Sequence, residues 1–289
     1  MVSIPFALRA SVLGHLSVGF TSRRTARDPD RRLLFCATGG DRSEGFPCLR
    51  NTHTVTLYRA TEETGIYSHH SHIVQFEGVV YAAWSNHLKD EDAPGQRVLL
   101  RRSIDQGSTW TAFVELFPPL DRFDPASEDG TWCKLYRDLG GSSCKYVSFS
   151  QDGGVTRTTA TRTDFSDANS RSTAGVLPNG RVYVISNVLP HGRNPLAVSL
   201  SEDGLTFDET ALIRNDALPV RFDGRWKDTG FQYPSSTVVG DSLCVMYSVN
   251  KEDIQMTRIP LSELRSLTSC SQQHAQGDAV NRAPSLGVR

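Results

Sequence analysis

Three stretches of the chain share one rhythm of apolar and polar positions. Val79-Val80-Tyr81-Ala82-Ala83-Trp84-Ser85-Asn86 follows the turn pair Glu77-Gly78. Arg181-Val182-Tyr183-Val184-Ile185-Ser186-Asn187 follows Pro178-Asn179-Gly180, and the run 242–250 follows Gly240-Asp241. Each reads as a turn, an apolar and aromatic run, then Ser and Asn. Runs rich in β-branched and aromatic residues, bounded by Gly, Asn and Asp, predict strands joined by hairpins. Long helical periodicity is absent. A short helix is expected over 261–266, where Pro260 can start it.

A second pattern recurs between these strands. Ser103-Ile104-Asp105-Gln106-Gly107-Ser108-Thr109-Trp110 is repeated as Ser150-Gln151-Asp152-Gly153-Gly154-Val155-Thr156-Arg157. A copy one residue shorter follows at Ser201-Glu202-Asp203-Gly204-Leu205-Thr206-Phe207. The Asp positions are 47 and 51 residues apart, an interval that suits one four-stranded propeller blade. The aspartate of such a box can accept backbone N–H groups inside a tight hairpin turn. Gly107, Gly154 and Gly204 supply positive φ at little steric cost, and Trp110 or Phe207 then covers the turn. These residues are expected to be structural, with no catalytic part for their aspartates.

Bulk properties narrow the picture. The 289 residues are 38% hydrophobic and 22% charged, with a net charge of −1. That supports a sizeable core and gives no pull toward nucleic acid. No apolar run is long enough to span a membrane. The six cysteines are scattered, so finger-type zinc is not expected and buried free thiols fit as well as disulfides. Residues 1–27 carry Arg9, Arg23, Arg24 and Arg27 and no acid. A presequence and a poorly ordered start both fit, but no clear secretory signal is read. A cytoplasmic or non-classically processed chain is expected rather than a membrane one. The expected division is an atypical, partly disordered segment over 1–63, blades over 64–265 and a polar tail over 266–289.

The boxes and their interval resemble the Asp-box (BNR-repeat) sialidase-like family, over roughly 64–262. Further segments are similar to its microbial and fungal carbohydrate-active branch: Ser68-His69-His70, the run from Trp84 to Val98, Gly230-Phe231-Gln232-Tyr233-Pro234-Ser235 and the run from Tyr247 to Ile254. The resemblance implies an all-β fold, a β-propeller of four-stranded blades closed by Asp-box hairpins. About five to six blades are expected, and the ring need not be complete. It also implies a sialidase-like exo-glycosidase, or a lyase acting on a rhamnose–glucuronate unit. The chain departs from sialidases in lacking an early Phe-Arg-Ile-Pro-like motif; Arg258-Ile259-Pro260 comes late. The stretch 117–141 reads as loop, and blade sequence is expected to be missing near Trp132-Cys133.

Candidate chemistry is sought at inner-strand ends, outside the boxes. His69, His70 and His72 lie on an expected innermost strand, with His70 and His72 on one face and His69 on the other. His70 or His69 can act as acid or base near neutral pH. Zinc on this cluster lacks further ligands, and no metal or cofactor is expected. Tyr233 and Tyr247 are candidate bases or nucleophiles, with Glu252 as the activating carboxylate of a retaining sialidase. Glu91 and Asp92 are weaker acid–base candidates. Arg97, Arg171, Arg193, Arg225, Lys227 and Lys251 are the cations available to an acidic sugar, with Arg171, Arg193 and Lys227 leading. Trp84, Asn86 and Gln96 suit sugar stacking and hydroxyl recognition.

Three readings compete. The first is an enzyme on an acidic oligo- or polysaccharide. The second is a non-catalytic sugar-binding or scaffold propeller, and the third an intracellular propeller enzyme of small-molecule biosynthesis. No P-loop or dinucleotide motif points to nucleotides. Oligomeric state is not legible.

Overall fold

The computed structural model describes residues 19–20, 34–35, 46–91, 95–116, 132–138, 140–152, 155–216 and 218–267. Four antiparallel four-stranded sheets form the blades. The first is β4 (Tyr67–Phe76), β5 (Val79–His87), β6 (Arg97–Ser103) and β7 (Val114–Leu116), in that order. The second is β8 (Trp132–Tyr136), β9 (Cys144–Ser150) and β10 (Thr161–Ser166), with β1 (Gly19–Phe20) beside β8. The third is β11 (Thr173–Val176), β12 (Val182–Ser186), β13 (Leu196–Ser201) and β15 (Glu209–Arg214). The fourth is β16 (Phe231–Val239), β17 (Ser242–Val249), β18 (Asp253–Pro260) and, outermost, β3 (His53–Tyr58). A small parallel pair joins β14 (Thr206–Phe207) to β2 (Leu34–Phe35), and helix α1 (Leu261–Arg265) follows β18.

Alternation along the strands builds the core between blades. On β12, Tyr183 and Ile185 face the fourth blade, where they pack with Phe231, Val245 and Tyr247. Val182 and Val184 face the second blade, meeting Cys133, Val147 and Phe165. A third cluster joins Ile73, Trp84 and Leu99 of the first blade to Cys244, Met246 and Met256 of the fourth. Each large apolar side chain so buried contributes about 1.5–3 kcal/mol. Sheets packed face to face through both surfaces are the propeller's way of covering its strands. On α1, Leu261 and Leu264 complete the cluster between blades three and four.

Two strands come from unexpected places. The segment His53–Tyr58 pairs antiparallel with β18, and Leu57 and Tyr58 are buried there. The expected start of blade sequence at residue 64 is therefore too late, because His53, Thr54 and Thr56 make half of this short strand polar. In the second blade the innermost place beside β8 is taken by Gly19–Phe20. In the other three blades the strand just ahead in sequence fills it. Of the stretch 117–141 expected to be loop, residues 117–131 lie outside the described residues, as do Cys36, Cys270, Asp92 and the tail beyond residue 267, whereas Trp132–Tyr136 forms β8 instead of loop. Cys48, Cys133, Cys144 and Cys244 are free thiols.

The three Asp boxes close as hydrogen-bonded turns. Asp105 accepts the Thr109 N–H at 2.8 Å, the Thr109 hydroxyl at 2.6 Å and the Ser103 hydroxyl at 2.7 Å. Asp152 repeats this with Thr156 and Ser150; Gly153 and Gly154 lie outside the described residues. Asp203 accepts the N–H groups of Leu205 and Thr206, each at 2.8 Å, and the Ser201 hydroxyl at 3.0 Å. Gly107 and Gly204 take φ of 85° and 73°. The Trp110 indole N–H donates to Gly107 O at 3.0 Å, and Phe207 is fully buried. Hydrogen bonds to the ionised form hold Asp105 well below the usual carboxylate range and Asp152 at about 2. With their carboxylates engaged in this way, the aspartates serve the turns. All three boxes follow the third strand of a blade, so they lie at the opposite end from the starts of β4, β16 and β6.

Candidate functional site

The inner strands β4 and β16 lie side by side, and each is interrupted at the same end. The β4–β5 register slips between His69 and His72, and His70 has φ of 49°. The β16–β17 register slips between Gln232 and Ser235, and Tyr233 has φ of 53°. Pro234 sits in the second slip, where its missing N–H costs no ladder bond. The bulges are stitched together: the Ser71 hydroxyl donates to Tyr233 O at 2.7 Å, and the Ile73 N–H donates to Ser235 Oγ at 3.1 Å. Bulges re-aim side chains. Here they bring the His70 and Tyr233 rings edge to face at 4.7 Å.

The bulge also overturns the expected alternation of the histidines. His69 and His70 stack at 3.9 Å instead of facing apart, because the left-handed residue turns the strand by one position. His72 is only 3% exposed, and its Nδ1 has no hydrogen-bond partner among the described residues. Burial, then the nearby Arg171 and His70, hold His72 well below the ordinary imidazole value, so it is neutral.

Glu91 is the hub behind this pair. It accepts the Tyr67 hydroxyl at 2.6 Å and the Lys251 ammonium at 2.8 Å. His69 Nδ1 lies 3.1 Å from Glu91 Oε1, a close polar contact short of hydrogen-bond alignment. Burial acts to raise the Glu91 carboxyl, but His69, Lys251 and Tyr67 outweigh it and hold the group well below the usual carboxylate range. The same pairing, added to burial, pushes the Tyr67 phenol far up, so it stays protonated. Gln96 Nε2 approaches His69 Nε2 at 3.2 Å. Lys251 also lies 5.7 Å from the centres of the Tyr67 and Tyr233 rings.

Arg171 lies in the turn ahead of β11, half-buried. It makes no hydrogen bond or ion pair among the described residues, yet is electrostatically coupled to His72 and Tyr233. Burial lowers its guanidinium from the ordinary value. A desolvated, unpaired cation is costly, and a ligand carboxylate would relieve it with a bidentate fork. Arg193 is less free: it donates to Ala168 O at 2.6 Å and lies 3.9 Å from Asp228. Its backbone is clamped by Gly230, where a Cβ would come within 2.4 Å of Arg193 O.

Other expected site residues lie elsewhere. Trp84 is fully buried between blades, so it cannot stack on a sugar. Asn86 is likewise sealed, donating to Ser68 Oγ at 3.1 Å and accepting from Arg97 Nε at 2.9 Å. Arg97 is spent on that bond and on Thr64 O at 2.7 Å. Tyr247 is a core residue, hydrogen-bonded to Thr257 at 2.7 Å and to Arg214 at 2.7 Å. Glu252 is 1% exposed and accepts Phe222 N–H at 2.8 Å and Lys227 at 3.3 Å. It therefore pins the 218–230 loop and activates no tyrosine. Lys227 is enclosed by the same contacts. Tyr67 was not signalled by sequence, since a tyrosine at the start of a strand looks like core. Among the described residues no group of three His, Cys, Asp or Glu side chains is disposed to hold a metal, and no helix is long and apolar enough to cross a membrane.

A model of the BNR repeat-like domain matches residues 72–246. Among solved structures, one called simply a sialidase is similar at a TM-score of 0.62 and 20% identity, covering 74% of this chain and 33% of that one. A mutant of Trypanosoma rangeli sialidase displaying trans-sialidase activity is similar at 0.48 and 10% identity, covering 76% of this chain and 60% of that one. This chain thus spans a third of the first structure's length and less than two thirds of the second's. No curated protein matches. The first likeness agrees with the propeller fold seen here, and the domain match takes in all three Asp boxes. The chain belongs to the BNR repeat-like domain family.

Proposed function

We propose that the protein is a carbohydrate-active enzyme of the sialidase-like type that acts on a glycan bearing an acidic sugar, cleaving beside a uronate by β-elimination. The observation that carries this reading is Arg171, a half-buried guanidinium beside the His70–Tyr233 pair with no counter-ion among the described residues. Its natural partner is a sugar carboxylate. Neutralising that carboxylate acidifies the proton on the adjacent ring carbon. His70 takes this proton, the electron pair forms a carbon–carbon double bond, and the bond to the leaving sugar's oxygen breaks. The Tyr233 phenol gives its proton to that oxygen, and proton exchange with water resets both side chains. His69, steadied by Glu91 and Gln96, backs the His70 ring.

Hydrolysis through a tyrosine nucleophile is the weaker reading. It requires an exposed tyrosine activated by a carboxylate. The Tyr67–Glu91 pair has that composition, but its phenol is wholly buried and held protonated. Product analysis on sialyllactose and a rhamnose–glucuronate polysaccharide, with wild type and His70→Ala, tests the proposal. A new absorbance from an unsaturated uronate, lost in His70→Ala, is expected. Release of sialic acid would replace the lyase by a sialidase. A folded protein that releases nothing would leave a binding propeller or a biosynthetic role.

A further inference from the structure

The loop joining β15 to β16 carries an aromatic residue that the fold does not use. Trp226 is 78% exposed and has φ of 56°. Its indole makes no hydrogen bond or ring contact among the described residues. A bulky residue in the left-handed region costs on the order of 1–3 kcal/mol, and an exposed ring returns nothing to the core.

The backbone on either side of it is nevertheless tied down. The Arg225 N–H donates to Asp90 Oδ1 at 3.1 Å, and its guanidinium lies 3.3 Å from Asp90 Oδ2. The Arg225 carbonyl lies 3.0 Å from the Tyr67 hydroxyl. Lys227, 3% exposed, donates to Ile66 O and Phe222 O, each at 3.0 Å. Gly224 lies against Tyr67 and Lys227 so closely that a Cβ there would come within 3.0 Å of the lysine chain. Trp226 is thus held out from two anchors, one residue away on each side. One of those anchors touches Tyr67, which bonds to the Glu91 that supports His69. Left-handed backbone at non-glycine residues recurs at this end of the molecule, at His70, Tyr233 and Lys251. Strain of this kind persists where the surroundings over-determine it, and it clusters at ligand sites.

We propose that Trp226 is the stacking platform of a second sugar subsite at the rim of the His70–Tyr233 site, receiving the sugar bonded to the acidic residue. The proposal rests on the acidic-glycan reading above. Sugar rings present apolar C–H faces, and an indole offers a large rigid surface with a polar edge. The Arg225 side chain, 76% exposed beside it, is available to ring hydroxyls.

The test compares a long rhamnose–glucuronate oligosaccharide with its disaccharide, using wild type, Trp226→Gly and Trp226→Phe. The preference in kcat/KM for the long substrate is expected to fall about tenfold in Trp226→Gly and to be largely restored in Trp226→Phe. The Trp226→Gly melting temperature should equal or exceed that of wild type, since glycine accepts this backbone freely. An unchanged preference overturns the subsite and leaves the enzyme reading intact. Should wild type cleave neither substrate, the enzyme reading fails, and calorimetric titration with the long oligosaccharide decides the subsite. About tenfold weaker binding to Trp226→Gly keeps it as a binding surface; equal affinity, or no binding to wild type, overturns it.

Discussion

His72 and Glu91 sit a few residues from the proposed chemistry, and both make the fold sensitive to acid. His72 is buried and neutral, with its imidazole held far below the ordinary 6.5. Unfolding lets it take a proton, so the unfolded chain binds more protons as pH falls. Stability from this group is complete above about pH 6.5 and declines below it, by about 1.4 kcal/mol per pH unit until the folded value is reached. Glu91 is depressed as well, so its contribution is complete above the ordinary carboxylate range and is lost at lower pH. Urea denaturation between pH 7.5 and 4, values chosen to bracket about 6.5 and the carboxylate range, should show a decline that starts near the histidine value and steepens further down. His72→Asn should flatten the first part and Glu91→Gln the second. Arg171 acts through a ligand instead. Arg171→Ala should lower kcat/KM on an acidic glycan by roughly a hundredfold or more, the loss of a charge-assisted pair of about 3 kcal/mol. Its melting temperature should hold or rise, because the substitution removes a half-buried cation without a partner among the described residues.

Strands and turns differ in how plainly the chain announces them. An Asp box is local: Ser, Asp, Gly and Thr within a few residues make all its hydrogen bonds, so spacing alone revealed it. Asp203→Ala removes the acceptor for two backbone N–H groups and a hydroxyl. It should cost about 1–3 kcal/mol and lower the melting temperature by several degrees, with Asp203→Asn less harmful, as thermal melts would show. The bulges at His70 and Tyr233 had no such local mark. Their left-handed backbone is fixed by the neighbouring strand, through Ser71 and Ser235. Reading β4 as a regular strand therefore set His69 and His70 on opposite faces, where the bulge stacks them. Trp84 and Tyr247 carried the residue types of a sugar site, but strand alternation turned them into the space between blades. Glu91 looked like any acid in a polar loop until folding set it against Tyr67 and Lys251.

At the scale of the whole molecule, the described residues form four blades, the second packed on the third, the third on the fourth and the fourth on the first, and the fourth is finished by a strand from ahead of the first. The superfamily was legible from repeats and interval; this pairing was not, because His53–Tyr58 resembles no other fourth strand. A chain shortened to begin after Tyr58 loses two buried side chains and bares the edge of β18. The burial alone is worth about 3–6 kcal/mol, a large share of a typical domain's stability. Such a chain should be insoluble, or melt far lower, whereas one begun just before His53 tests what the earlier residues add. The clasp also governs when the fold can form. Thr54 and Thr257, bonded through their hydroxyls, stand 203 residues apart. On a ribosome the first of these emerges long before the second exists. Its strand must wait unpaired while every later blade is synthesised, and the last blade cannot be sealed until then. Folding is consequently slow and joint, with the early strand exposed throughout to mispairing, and it is at that stage that a chaperone would matter most.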